Sequence, residues 1–217
     1  MSTLQYIPKI IEWCHPFELA RKMDEKCWVL LYSGVRNNYS GRYSILACGL
    51  KEQVTSASFM ELATHLSSDK HQFENAWFGY LGYGLKNSLE NLKQDEAGWL
   101  DMPDLCMMSF SNIYQFDHDN KTLVLWSDGR RGIQIKSFPQ NPIIPPVINI
   151  HSNMAREEYL EKAQHVINKI HAGDLYQANL TRKFYGEFAQ APDYFHIFSK
   201  LCEVSPAPYS AFIRMDD

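Results

Sequence analysis

Histidines, cysteines and paired carboxylates are the side chains of this sequence that could act as metal ligands, nucleophiles or general acids and bases. The eight histidines lack the spacing of metal ligands; they are His15, His65, His71, His118, His151, His165, His171 and His196. His165 and His171 lie six residues apart on one expected helix and therefore on different faces. Glu157 and Glu158 begin that helix, where carboxylates favour the macrodipole. We therefore assign no catalytic residue and no metal ligand.

The cysteines and the charge balance narrow the possible classes of protein. The five cysteines are odd in number and include no CxxC pair, which argues against a disulfide framework or a zinc site. The formal charge of -4 gives no general attraction for nucleic acid or an anionic membrane. The first residues lack the basic start and continuous apolar stretch of a signal peptide, and no apolar run reaches the roughly 20 residues that span a bilayer. We expect a cytoplasmic protein without nucleic-acid or membrane partners.

Hydrophobic patterning predicts a β-rich N-terminal region. Short apolar runs at Cys27–Ser33 and Tyr43–Cys48 predict buried strands on either side of a polar loop. Leu105–Phe116 and Thr122–Trp126 predict a hairpin with a polar turn. Ser58–Leu66 has helical spacing, with Ser58 as a candidate cap. These elements indicate a sheet with at least one flanking helix.

Glycine and proline mark a close backbone approach and a boundary. Trp77–Gly84 alternates large residues with glycine, which is typical of a strand whose glycine face lies against another backbone. Closely spaced prolines between Phe138 and Pro146 disfavour a helix and predict a boundary between two structural units.

Beyond the boundary, the pattern alternates between helix and strand. A helix capped by Asn153 is predicted to run to Gly173, which stops it. Three further elements are predicted: a strand with a polar face over Leu175–Phe184, a helix over Asp193–Val204 and a strand over Pro208–Met215.

Several collinear stretches resemble the aminodeoxychorismate synthase component I family, a relative of anthranilate synthase component I. The resemblance covers most of the chain, and the stretches are Trp28–Gly34, Arg42–Ile45, Gly79–Tyr83, Met102–Leu105, Phe116–His118, Tyr176–Leu180 and Pro206–Phe212. Asn179 favours the aminodeoxychorismate form, because anthranilate synthases more typically continue with Val-Val-Leu-Ser at this point.

The resemblance implies an α+β fold of mixed, largely antiparallel sheets with flanking helices, incomplete at the C-terminus. The family's N-terminal region would cover residues 1–137, a Pro-rich linker residues 138–152, and the start of a chorismate-utilising domain residues 153–217.

The resemblance also implies an activity: a Mg²⁺-dependent enzyme that aminates chorismate to 4-amino-4-deoxychorismate, on the route to p-aminobenzoate and folate. A glutamine amidotransferase subunit would supply the ammonia. The family's Mg²⁺-binding glutamates and nucleophilic lysine are expected downstream of Asp217. Two alternatives remain open, namely anthranilate synthase component I and a non-catalytic module that binds tryptophan or docks an amidotransferase.

A tryptophan-binding pocket is the one family site that the resemblance places inside this chain. The residues carried over are Ser33, Tyr39, Ser40, Arg42, Tyr43, Pro208, Tyr209 and Ser210. Aromatic and aliphatic side chains can bury an indole, and hydroxyl and backbone groups can meet the charged end of an amino acid. Gly41 departs from the family pattern as an extra residue between Ser40 and Arg42.

Overall fold

A computed structural model describes residues 6–56, 59–66, 73, 76–89, 102–130 and 143–216. Its strands are β1 (Ile7–Ile11), β2 (Trp28–Tyr32), β3 (Tyr43–Ser56), β4 (Phe78–Leu81), β5 (Leu105–Asp117), β6 (Thr122–Ser127), β7 (Val147–Ser152), β8 (Phe184–Phe188) and β9 (Ser210–Arg214). Its helices are α1 (Pro16–Ala20), α2 (Phe59–His65), α3 (Lys86–Leu89), α4 (Arg156–His171) and α5 (Tyr194–Val204). The expected α+β class with mostly antiparallel pairing is confirmed.

Contacts divide the chain into two units, the first combining residues 1–140 with 198–217 and the second comprising residues 141–197. The boundaries expected from sequence stay a prediction. Val147–Ser152, which that prediction assigns to the linker, form a strand.

The first unit is built on one antiparallel sheet with the strand order β1-β6-β5-β3-β2-β9. The long strand β5 pairs with β3 along one edge and with β4 and β6 along the other. Nearly every residue of β5 is buried, which fits a central strand covered on both faces. Core side chains on β2, β3 and β5 include Val29, Ala47, Met108, Phe110 and Ile113.

The pairing of β3 with β5 determines which loops meet at one end of the sheet. Tyr43, the first residue of β3, lies opposite Asp117, the last residue of β5. The loop that enters β3 and the turn that leaves β5 therefore emerge side by side. The strand β3 was expected to end at Cys48, but it continues to Ser56. It passes through Gly49, whose φ of 75° is a conformation that glycine adopts without strain.

The glycine-rich segment forms the strand predicted from its alternation, over Phe78–Leu81, and then a short 3₁₀ turn. Gly79 faces Met107 of β5. A Cβ atom on Gly79 would lie 1.9 Å from the carbonyl oxygen of Cys106, so the close backbone approach is confirmed.

The second unit pairs β7 with β8 and contains the helix α4. The predicted helix is confirmed, but the predicted Asn153 cap is wrong because the N-cap position is Ala155. The side-chain oxygen of Asn153 instead accepts a hydrogen bond from the Lys183 amide at 2.8 Å. Its own amide donates to the Lys183 carbonyl.

The strand predicted over Leu175–Phe184 is wrong, because the observed strand is Phe184–Phe188 and residues 175–183 are irregular. Alternating side chains alone do not make a strand, which needs a partner for its backbone groups. Here the partner strand is β7, which is six residues long and pairs with the segment Phe184–Phe188.

The other predicted elements agree with the structure apart from their ends. The hairpin of β5 and β6, the strands β2 and β9, and the helices α2 and α5 are confirmed. Ser58, the expected cap of α2, lies outside the described residues, as do residues 131–142 of the proline-containing segment.

Candidate functional site

The loop between β2 and β3 is shaped by an asparagine and a glycine. The side-chain oxygen of Asn37 accepts hydrogen bonds from the amides of Tyr39 and Ser40, each at 2.8 Å. Gly41 has a φ of 94°, and a Cβ there would lie 2.2 Å from the carbonyl oxygen of Val35. The residue that departs from the family pattern is thus the one that closes this loop on itself.

Asp117, at the end of β5, connects the hairpin turn to this loop. Its carboxylate accepts hydrogen bonds from the Arg42 guanidinium at 2.8 and 3.2 Å. It also accepts from the amides of Asp119 and Asn120, at 3.0 and 3.1 Å, and from the Asn120 side chain. These bonds to its charged form hold the Asp117 pKa at about 2, with the Arg42 hydrogen bond as the largest cause.

A chain of hydrogen bonds, buried at Ser44 and His118, lies beside the Arg42–Asp117 pair. The Ser44 hydroxyl accepts from the Ser33 amide at 3.0 Å and shares a 2.7 Å hydrogen bond with His118 Nε2. The Ser33 hydroxyl donates to the Tyr43 carbonyl at 2.8 Å. Ser33, which directly follows β2, is therefore hydrogen-bonded to both Tyr43 and Ser44 of β3.

His118 is 5% exposed. Burial is the main cause that lowers its pKa to about 4, and the charges of Arg36, His15 and Lys121 add to the effect while Asp117 opposes it. The unfolded chain takes up this proton near the ordinary value of about 6.5. Stability is therefore full above pH 6.5 and is lost as the pH falls to about 4.

We expect the free energy of unfolding to be about 1 to 2 kcal/mol lower at pH 5 than at pH 7 because of His118. Urea titrations of the wild type and His118→Gln at both pH values measure this difference, which should shrink in the variant. The exposed His171 provides the matched control, since His171→Gln should keep the wild-type difference. An unchanged difference in His118→Gln would contradict the prediction.

A polar cleft of about 590 Å³ opens between the loop and the hairpin turn. Its lining residues are Ser33, Arg36, Asn37, Asn38, Tyr39, Ser40, Gly41, Arg42, Tyr43, Asp119 and Tyr209. The charged groups among them are two guanidinium groups and one carboxylate. The volume lies within the usual range of about 300 to 1,000 Å³ for small-molecule sites.

A second cleft of about 390 Å³ adjoins the first and is mainly apolar. Its lining residues are Leu31, Tyr32, Ser33, Tyr43, Ile45, Tyr209, Ser210 and Ala211. Ser33, Tyr43 and Tyr209 line both clefts. A polar cleft and an apolar cleft therefore lie next to each other and share three lining residues.

The structure brings together most of the residues that the resemblance assigned to a pocket. Seven of the eight line one or both clefts, and the eighth, Pro208, lies in the bend that precedes β9. In that bend the carbonyl of Ala207 accepts a hydrogen bond from the Gly34 amide at 2.9 Å. The binding of tryptophan here stays a prediction.

Four residues of the polar cleft were not predicted from the sequence, namely Arg36, Asn37, Asn38 and Asp119. Both of their segments were recognised as polar connections, but their contact depends on the pairing of Tyr43 with Asp117, 74 residues apart in the chain. The register of β3 against β5 is therefore the information needed to predict that the loop and the hairpin turn lie side by side.

In the described part of the chain, no cluster of three or more His, Cys, Asp or Glu side chains could hold a metal ion. The Mg²⁺ ion that the resemblance implies is therefore assigned to none of these residues. The cysteines are free, and burial raises the pKa of the Cys48 thiol. In the same part of the chain, no helix is both long and apolar enough to cross a membrane.

Comparisons with known proteins identify the family. The chain is 28% identical over 149 residues to aminodeoxychorismate synthase component 1 of Escherichia coli, covering 66% of this chain and 32% of that protein. The Salmonella typhimurium protein of the same name is 30% identical over 150 residues, covering 67% and 33%. Anthranilate synthase component 1 of Lactococcus lactis is 22% identical over 242 residues, covering 93% and 53%.

The chain thus spans about a third of the length of the first two relatives and about half of the third. Residues 23–217 match the chorismate binding enzyme family. The chain belongs to that family of chorismate-binding enzymes.

Proposed function

We propose that this chain is the N-terminal portion of an aminodeoxychorismate synthase component I. The enzyme would aminate chorismate to 4-amino-4-deoxychorismate with ammonia from a glutamine amidotransferase subunit, and so supply p-aminobenzoate for folate. A Mg²⁺ ion belongs to this proposal, since a hard cation can hold a substrate carboxylate through oxygen ligands. No described residue is given a role in binding that ion or in the chemical step.

The observation that carries this proposal is the name shared by the relatives at 28 to 30% identity, aminodeoxychorismate synthase component 1. The stretch Tyr176–Leu180 supports it, because Asn179 stands where anthranilate synthases more typically have a different continuation. The word component in those names supports a second subunit, which we propose to be the amidotransferase.

The product formed from chorismate tests the proposal. The complete gene product that contains this chain is combined with a glutamine amidotransferase subunit, glutamine, Mg²⁺ and chorismate, and the products are separated by mass and fluorescence. We expect 4-amino-4-deoxychorismate. Formation of anthranilate would replace the proposal with the sister activity, and unchanged chorismate would leave only the non-catalytic alternative.

The sister activity has its own supporting observation. The Lactococcus lactis relative that covers 93% of this chain is named anthranilate synthase component 1. Its identity of 22% is lower than that of the aminodeoxychorismate synthases, which is why it is the second candidate.

The paired clefts are proposed to bind tryptophan. Tyr39 and Tyr209 line the polar cleft although these residues are 95% and 79% exposed, so an aromatic ligand could cover apolar surface that now faces water. Leu31, Ile45 and Ala211 give the adjoining cleft an apolar wall for an indole. Isothermal titration of the chain with L-tryptophan tests this, and the absence of binding heat at millimolar ligand would refute it.

A further inference from the structure

The charged residues of the polar cleft differ in how firmly they are paired. Arg42 gives two hydrogen bonds to Asp117, whose side chain is 10% exposed and also holds the hairpin turn. Arg36 and Asp119 form the other ion pair, with 3.0 Å between Nη1 and Oδ1 and side chains 45% and 54% exposed. An exposed ion pair of this kind contributes at most about 1 kcal/mol, so its partners can be exchanged at little cost.

Both members of this exchangeable pair are nevertheless held in place from the other side. The Nη2 of Arg36 donates to the carbonyl of His118 at 2.9 Å, which fixes the guanidinium against the hairpin turn. The amide of Asp119 donates to the Asp117 carboxylate at 3.0 Å. A guanidinium has five N–H donors in a planar fork that suits a carboxylate, and a carboxylate can accept several hydrogen bonds from an ammonium group.

We propose that Arg36 and Asp119 recognise the two charges of a bound amino acid. In the complex, the α-carboxylate binds Arg36 and the α-ammonium binds Asp119. Arg36 thus exchanges the Asp119 carboxylate for the ligand carboxylate, and Asp119 exchanges the Arg36 guanidinium for the ligand ammonium group. The zwitterion leaves the net charge of the cleft unchanged. This assignment rests on the proposed tryptophan site and adds two residues to it that the family resemblance does not include.

The arrangement of the two clefts supports this orientation. Arg36 and Asp119 line the polar cleft, whereas Leu31, Ile45 and Ala211 line only the apolar one. An amino acid with a large apolar side chain can place its backbone charges in the first and its side chain in the second. A ligand that lacks one charge would leave either Arg36 or Asp119 without its complement.

Two ligands that each lack one charge provide the test. Tryptamine has no carboxylate, and indole-3-propionate has no ammonium group. Isothermal titration compares both with L-tryptophan on the wild-type chain and on the variants Arg36→Gln and Asp119→Asn. Arg130→Gln and Glu12→Gln change the same charges at exposed positions outside the clefts and serve as matched controls.

We expect Arg36→Gln to weaken L-tryptophan binding about tenfold but not to weaken tryptamine binding, because tryptamine has no carboxylate for Arg36 and must compete with it for Asp119. Asp119→Asn should weaken L-tryptophan binding about tenfold but should not weaken indole-3-propionate, whose carboxylate must compete with Asp119 for Arg36. A factor of ten corresponds to about 1.4 kcal/mol. Both control variants should bind all three ligands like the wild type.

Two results overturn the assignment in distinguishable ways. In the first, the wild type binds L-tryptophan, but a variant binds all three ligands more weakly by the same factor. The substituted residue then shapes the loop and does not recognise a charge of the ligand, while the proposed tryptophan site stands. If the wild type binds no L-tryptophan, the proposed site and the assignment both fall. Thermal unfolding of each variant shows whether the fold is retained.

Discussion

Gly79→Ala is expected to destabilise the first unit by at least about 3 kcal/mol. The new Cβ would lie 1.9 Å from the carbonyl oxygen of Cys106 and 2.9 Å from the Met107 Cα atom. Both atoms belong to the backbone of the central strand β5, so no flexible side chain can move aside. The strand β4 must separate from β5, with the loss of its pairing over Phe78–Leu81.

The midpoint of urea unfolding, followed by tryptophan fluorescence, measures this effect. A loss of 3 kcal/mol is a large part of the roughly 5 to 15 kcal/mol that separates folded from unfolded domains. Gly129→Ala is the matched control, because nothing lies within 4 Å of a Cβ there and only its φ of 73° disfavours alanine. The control variant should lower the free energy of unfolding by about 1 to 2 kcal/mol. Equal midpoints for the two variants would contradict the clash.

Local sequence patterns predicted the elements better than their partners. The apolar runs before and after the polar loop, and the hairpin of β5 and β6, could be identified because each carries its own signal. The strand β1 was not predicted, and Pro8 within it argues against a strand. Among the strands that the structure describes, Pro8 stands on one at the edge of the sheet that pairs with β6, a position at which a missing amide donor is tolerated.

The candidate site needed information that the sequence does not carry locally. The resemblance named residues from the loop and from the segment before β9, and the structure joins these segments because β9 pairs with β2. Asp119 could not be placed with them, because its position depends on the long-range register of β3 against β5. The strand expected over Leu175–Phe184 failed for the same reason, since periodicity indicates two faces but not which backbone pairs with it.

Asp117→Ala is expected to cost about 2 to 4 kcal/mol of unfolding free energy. The change removes the acceptor for two Arg42 hydrogen bonds and for the amides of Asp119 and Asn120. Those amides belong to the turn that borders the polar cleft. The variant should therefore also weaken any ligand that depends on the cleft, because Arg42 and the turn lose their common anchor.

The pH dependence of the free energy of unfolding shows whether the ionised form of the Asp117 carboxylate stabilises the fold. Its folded pKa of about 2 lies below the ordinary 3.8, so its contribution is present above pH 3.8 and is lost as the pH falls to about 2. Asp119→Ala is the matched control, since it removes the same charge from the same turn but breaks only an exposed ion pair. The urea midpoints of the wild type and Asp117→Ala should lie closer together at pH 3 than at pH 7. If Asp117→Ala and Asp119→Ala were equally stable at pH 7, the hydrogen bonds to Asp117 would not be what holds the loop to the hairpin.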